Sequence, residues 1–370
     1  MELLNYGYTV DFVGYLESEL PFKLTRAKGL RIMAIPKCEL NFSILPAVFA
    51  KIAIIITKVF FQVFFLLWIM VGMKRRPTVI LVQTPPVLPS IPFAYILAKI
   101  CRSRLIIDWH NMGYTILAQT LKVPFLITLA KKIELLLART ADVNLVVSLA
   151  QKDWMRQNAK VQSVVIYDRP VPESFTRLSD AERLEFRTIL RERLGWDKEN
   201  DVPIIVSSTS WTKDEDFDIL VDALPLIKHH IQLIISGKGP LKEHYEKQIS
   251  ILGLTHVQFA TLWLPFEDYA KLLGSADLGI CLHASSSGVD LPMKAIDMFG
   301  AGLSVVALQY PAITEVITHG RTGLLFQDCK ELAASIDAAI EKKVQICIPH
   351  METWHQQWDR IIKPILRKLT

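Results

Sequence analysis

Residues 278–302 read LGICLHASSSGVDLPMKAIDMFGAG, and this stretch decides the fold. Leu278–Cys281 is a short apolar run of strand character; a serine-rich loop follows, and a helix opens after it. Small residues in such a loop let backbone approach a ligand, while a helix N-terminus offers unpaired N–H donors and the positive end of its dipole. A diphosphate suits that setting. Asp290, Lys294 and Asp297 fall at i, i+4 and i+7, which on one helix places a cation between two carboxylates on a single face. A carboxylate is expected on ribose or sugar hydroxyls and Lys294 on the diphosphate, with Ser286, Ser287 and Gly288 lining the loop. The competing reading is a capped surface helix carrying a salt-bridge triplet.

The same strand–loop–helix unit recurs on both sides of this stretch. Strands are expected at Ile204–Ser207, Leu233–Ser236, Val257–Phe259, Leu278–Cys281, Val305–Leu308 and Leu324–Phe326. An earlier series covers Thr9–Val13, Arg31–Ile35, Val79–Gln83, Leu105–Asp108, Asn144–Val147 and Val164–Tyr167, with helices near Ile91–Ile100 and over Phe125–Arg139. Alternation of this kind predicts two doubly wound α/β domains with parallel sheets. Asp168-Arg169-Pro170-Val171-Pro172 interrupts it. The expected division is 1–170 for a first, acceptor- and membrane-facing domain, 171–202 for a charged helical linker, 203–340 for a donor-binding domain, and 341–370 for a terminal helix that crosses back to the first domain. That last helix, Thr353 to Arg367, carries Trp354, Trp358, Ile361, Ile362 and Ile365 on its apolar side. Doubly wound sheets bind ligands beyond the carboxyl ends of their strands, so a cleft between the domains is expected.

Further loops point to the same edge. Ser236-Gly237-Lys238-Gly239-Pro240 follows a strand directly, and Gly237, Lys238 and Gly239 are candidates for donor binding. The loop matches neither the dinucleotide fingerprint nor the Walker loop, which disfavours a dehydrogenase. Thr209-Ser210-Trp211-Thr212-Lys213 adds hydroxyls, an aromatic ring and a cation, with Ser210 and Trp211 as donor-binding candidates. Asp214-Glu215-Asp216 invites a metal, but it precedes a helix expected over Phe217–His230 and reads better as a cap for its free N–H groups. No metal ligand set is therefore assigned. In the earlier half, Asp108-Trp109-His110-Asn111 ends a strand; His110 is a candidate general base oriented by Asp108, against the alternative of a hydrogen-bonded structural histidine. Glu134 and Ser148 are expected to line the same cleft, and Gln83-Thr84-Pro85-Pro86 stands at another strand end.

Composition limits the alternatives. The chain has 370 residues, 51% of them hydrophobic, and a net charge of +5 that is dispersed, which excludes a disordered arm and disfavours nucleic-acid binding. Five widely spaced cysteines show no zinc spacing and fit a reducing compartment; Asn41-Phe42-Ser43 would then meet no glycosylation machinery. No signal peptide is read at Met1–Asn5. Residues 44–73 are strongly apolar, but Lys51 and Lys58 interrupt them and share a helix face, and Lys74-Arg75-Arg76 follows. This pattern favours a helix lying in a membrane interface, with a buried core helix and a true span as the alternatives.

DWHNMGY, SSTSWTKDEDFDILVDAL, SGKGPL, LLGSADLGICLHASSSGVDLPMKAIDMFGAG and GRTGLLF together resemble the chitobiosyldiphosphodolichol beta-mannosyltransferase family, over about Gly7 to Ala339. The resemblance implies a GT-B fold of two Rossmann-like domains facing a central cleft. It also implies inverting transfer of mannose from GDP-mannose in β1,4 linkage to dolichol-diphosphate chitobiose, without a required cofactor or metal. The site would be the cytosolic leaflet of the endoplasmic reticulum membrane, with other dolichol-pathway mannosyltransferases as candidate partners. Asp297 stands where related families place the second acid of a two-glutamate motif; the first is displaced, with Val289 at its position and Asp290 beside it. The family pattern begins with an anchor, a first strand and a glycine-containing loop, so a first domain lacking its usual first strand is expected here. That departure motivates the alternative of a non-catalytic relative binding nucleotide sugar or lipid, while a nucleotide-sugar epimerase is disfavoured by the apolar segment.

Overall fold

The computed structural model describes residues 1–15, 24, 26–36, 47–73, 75–197, 202–212, 215–344, 346–349 and 351–370, with the backbone only for 47–52. The expectations placed on Asn41-Phe42-Ser43, Lys51, Lys74, Lys213 and Asp214 fall outside it. Two compact units emerge: Met1–Val146 with Lys152–Ile166 and His355–Thr370, and Val147–Gln151 with Tyr167–Trp354.

In the first unit β1 (Val10–Tyr15) and β2 (Leu30–Ile35) form a two-stranded parallel sheet of their own. β3 (Val79–Thr84), β4 (Arg104–Trp109), β5 (Val143–Val146) and β6 (Val164–Val165) form a second parallel sheet in sequence order. The helix Ser90–Cys101 packs on β3 and β4, and the central strands β4 and β5 hold the core, with Ile106, Ile107 and Val146 fully enclosed. β6 ends two residues short of the expected Tyr167. The apolar helix Ala47–Val71 reaches β2 and the helix Ser90–Cys101, and Gln62 Nε2 donates to Ser90 Oγ at 3.1 Å. Its stretch Ala53–Val71 has a mean hydropathy of 2.3 and is long and apolar enough to cross a membrane.

The second unit has one six-stranded parallel sheet. Its strands are β7 (Ile204–Thr209), β8 (Ile231–Gly237), β9 (Val257–Leu262), β10 (Leu278–Cys281), β11 (Val305–Leu308) and β12 (Leu324–Phe326). They lie in the order β12-β11-β10-β7-β8-β9, so the chain winds outward in one direction from β7, returns to β10 and winds out in the other. The switch point therefore lies between β7 and β10, the place where doubly wound sheets generally bind ligands. Ile205, Leu233, Ile280 and Val306 are buried on the sheet, as expected of strands covered on both faces.

Three expectations about elements need correction. The helix read over Phe217–His230 ends at Ala223; Pro225 lacks an N–H to continue it, and a 3-10 turn, Leu224–Leu226, leads into β8. The stretch 171–202, expected as a linker, includes the helix Asp180–Leu194, which is packed into the second unit: Arg183 and Arg187 lie 2.5 and 2.6 Å from the Asp277 carboxylate, and Asp277 accepts from Ile204 N–H at the start of β7. The C-terminal segment is helical over Trp354–Gln357 and Lys363–Leu369, with a π turn at Trp358–Ile362 where Pro364 cannot donate. Trp358, Ile362 and Leu366, four apart, form its buried stripe within the first unit.

Candidate functional site

At the switch point the loops after β7 and β10 meet. Glu215 and His283 form a backbone bridge there, and the helix Met293–Gly300 begins beyond the second loop with Pro292 at its N-cap. Asp290 therefore lies ahead of the helix, not on it, and the expected face of Asp290, Lys294 and Asp297 does not form. Ala295, Ile296, Met298 and Phe299 take the buried positions, which leaves Lys294 and Asp297 on the half-buried side.

Lys294 does not sit between those two carboxylates. Its Nζ donates to Glu215, whose side chain is 1% exposed. The Glu215 carboxylate also accepts from Thr209 Oγ1 and from Ser210 N–H at 3.0 Å. So Glu215, expected among the helix caps, is turned inward, and Asp216 at the N-cap makes no side-chain cap. Asp290, 6% exposed, organises its own loop: it accepts from Ser285 and Ser287 hydroxyls, and His283 Nε2 lies 3.2 Å from it. Burial pushes the Asp290 carboxyl up, but those hydrogen bonds outweigh it and hold the group below its ordinary range. Gly288 turns the loop at φ +71, and its N–H donates to Ser285 Oγ. Tyr310 hydroxyl donates to the Asp290 carbonyl at 3.1 Å. Asp297 is different. Burial first, and the Asp168 carboxylate second, push it up to about 7.

Trp211, expected to touch the donor, is fully buried and stacks on Phe217 with ring centroids 4.7 Å apart. It anchors the loop to the core, and the exposed Ser210 hydroxyl remains at the edge. Gly237 and Gly239 serve a packing need: a Cβ at either would lie 1.8 Å from the carbonyl oxygen of Thr209 or Ser210, so only glycine lets the β8 loop close on the β7 loop. Lys238 is exposed, with Nζ 4.1 Å from the Trp263 ring centroid, a cation–π contact at the sheet edge.

In the first unit His110 Nε2 lies 3.0 Å from Asp108 Oδ2 at the carboxyl end of β4, the predicted dyad. His110 N–H donates to the Thr84 carbonyl, so β3 fixes its backbone. The expectation that Glu134 and Ser148 line a cleft is replaced by capping. Glu134 accepts from Gly113 and Tyr114 N–H, both at 2.9 Å, and caps the helix Gly113–Thr120; burial raises its pKa against those bonds. Ser148 Oγ accepts from Gln151 N–H and donates to the Val289 carbonyl.

The family model for glycosyl transferases group 1 matches residues 201–342. Chitobiosyldiphosphodolichol beta-mannosyltransferase from Mus musculus is 34% identical over 99% of this chain and 85% of its own. The chain belongs to that family. A further relative, UDP-glycosyltransferase TURAN from Arabidopsis thaliana, is 34% identical over 85% of this chain and 82% of its own. Sucrose-phosphate synthase from Thermosynechococcus elongatus shares the fold, with a TM-score of 0.70 at 17% identity over 99% of this chain and 90% of that one. As a member of the chitobiosyldiphosphodolichol beta-mannosyltransferase family, the chain is a glycosyltransferase of GT-B fold, with two Rossmann-like domains. Three contacts in these loops have no local signal in the sequence that would reveal them. Glu215 was hidden in an acidic triplet, His283 follows β10 by two residues without a motif, and Tyr310 reaches Asp290 from a distant turn. Among the described residues no group of three His, Cys, Asp or Glu side chains is placed to hold a metal ion.

Proposed function

We propose that the chain transfers mannose from GDP-mannose, with inversion, to the distal 4-hydroxyl of dolichol-diphosphate chitobiose at the cytosolic face of the endoplasmic reticulum membrane. The observation that carries this reading is Lys294, a cation delivered to the switch point of a Rossmann sheet beside the N-terminus of the helix Met293–Gly300. The name of the mouse relative supplies the sugar, the anomer and the acceptor.

In this reaction the acceptor oxygen attacks the anomeric carbon from the face opposite GDP, so one C–O bond forms as the bond to the diphosphate breaks. The acceptor proton passes to His110. With Nε2–H directed at Asp108, Nδ1 is the basic nitrogen, and Asp108 stabilises the imidazolium that forms. The charge growing on the departing diphosphate is met by the Lys294 ammonium and the helix terminus, a route that calls for no divalent cation. Asp297 takes a ribose or sugar hydroxyl, and Ser210, Ser286 and Ser287 supply further hydroxyls at the loops.

The test is the purified chain with GDP-mannose and phytanyl-diphosphate chitobiose, with chelator present. A β-mannosidase-sensitive product is expected. Turnover with UDP-sugars in place of GDP-mannose would overturn the donor assignment, and binding of GDP without any product would establish a non-catalytic relative.

A further inference from the structure

We infer that Glu215 is a positioning residue for the donor diphosphate, acting through Lys294; this rests on the proposed donor site. A lysine ammonium rides on four rotatable methylenes, and holding it at one point costs side-chain conformational freedom. Something must fix it for the charge to be delivered. Glu215 does so from a buried seat: its side chain is 1% exposed, Thr209 Oγ1 and Ser210 N–H set the carboxylate, and the carboxylate receives Lys294 Nζ. The backbone bridge from Glu215 to His283 ties this seat to the loop that carries Asp290. The chain of fixed groups therefore runs from the end of β7, through a carboxylate, to a cation on another element.

The placement has a second consequence. A buried carboxylate beside a diphosphate site repels the ligand unless a cation stands between them, so Lys294 both attracts the diphosphate and screens Glu215 from it. Losing Lys294 alone exposes the ligand to an unpaired negative charge. Losing Glu215 alone leaves a cation that is present but unplaced. Losing both removes the attraction and the repulsion together.

The experiment is calorimetry on the full chain with GDP and GMP, since only GDP carries the second phosphate that Lys294 is proposed to meet. Lys294→Met should lower the preference for GDP over GMP by about tenfold or more, the size of a charged hydrogen bond; an unchanged preference sinks the donor-site reading itself. Given that loss, Glu215→Gln should lower the preference severalfold with little change for GMP, and Glu215→Asp should restore part of it. Combined with Lys294→Met, Glu215→Gln should bring GDP affinity above that of Lys294→Met alone. Equal losses for GDP and GMP in Glu215→Gln would make the residue merely structural and overturn the inference. So would a preference that stays the same or rises. Should Glu215→Gln fail to fold, Thr209→Val releases the carboxylate without removing its charge; it should lower the GDP preference in the same direction, and no change there overturns the inference equally.

Discussion

At the scale of single residues, the loops after β7 and β10 and the helix Met293–Gly300 carry charges whose environments differ within a few positions of one another. Asp290 is held ionised by three hydrogen-bonding partners, whereas Asp297, seven residues on, is pushed up to about 7 by burial and by Asp168. The unfolded chain releases the Asp297 proton near its ordinary value of 3.8, so between there and about 7 the folded state binds more protons than the unfolded one. The benefit of burying a neutral carboxyl is fully present below that window and is lost as pH rises through it, with a slope of at most ~1.4 kcal/mol per pH unit. Asp297→Asn cannot ionise and should flatten this decline, becoming more stable relative to the parent at about pH 8 than at about pH 5. Urea midpoints at the two pH values check it, and parallel changes in both proteins would refute the assignment. Gly239 gives a second residue-level expectation. Its missing Cβ would fall 1.8 Å from the Ser210 carbonyl oxygen, a backbone atom, so Gly239→Ala must separate the two loops at a cost of at least about 1–3 kcal/mol. GDP affinity should fall with it, and an alanine variant with parental stability and affinity would show that the loops are not locked together.

At the scale of elements, the strands were legible because buried parallel strands demand short β-branched runs, and β10, β11 and β12 begin and end where those runs do. What escaped reading was set by contacts distant in sequence. Nothing local tells that Glu215 turns inward to Lys294 while its neighbour Asp216 stays at the helix start, because the decision is made by a cation 79 residues away. Trp211 beside exposed Ser210 looked like a ligand contact, yet Phe217 and Tyr245 offered it a better partner in the core. The helix Asp180–Leu194 reads as a linker in the sequence for the same kind of reason: its arginines look solvent-bound until Asp277 is placed opposite them. Its start was readable, since Ser179 and Glu182 form a capping box. Asp277→Asn should expose the importance of this clamp, because two guanidiniums then face a neutral amide at the edge where β7 begins. The expected loss is about 2 kcal/mol, less than for a fully buried pair because Asp277 keeps a third of its side-chain exposure. Denaturant unfolding measures it, and a loss confined to a few tenths would show that the helix is held by its apolar face alone.

At the scale of the whole molecule, the remaining question is how a chain proposed to act on a lipid-linked acceptor meets its membrane. The stretch Ala53–Val71 has the length and composition of a span, and Phe60, Phe64, Trp68 and Val71 stand outward, with Val71 83% exposed. We propose a helix lying along the membrane surface. Gln62, midway along the helix, is hydrogen-bonded to Ser90, and one edge of the helix meets β2 and the helix Ser90–Cys101, so crossing a bilayer would carry that polar contact and part of a water-facing unit into hydrocarbon. Ile96 and Ile100 on the neighbouring helix are also exposed, which widens the apolar face beyond one helix. Replacing Phe60 and Phe64 together by aspartate should then reduce partitioning onto vesicles with anionic headgroups on the order of 100-fold, from the apolar burial lost at two aromatic rings. GDP binding should be unchanged, because the substitutions lie outside the Rossmann unit that carries Lys294. Vesicle flotation reads the first quantity and calorimetry the second. Single cysteines placed at Thr57 and Val71 in reconstituted vesicles decide the orientation: labelling of both by an impermeant reagent added outside is expected of a helix on the surface, and labelling of only one end would make it a span.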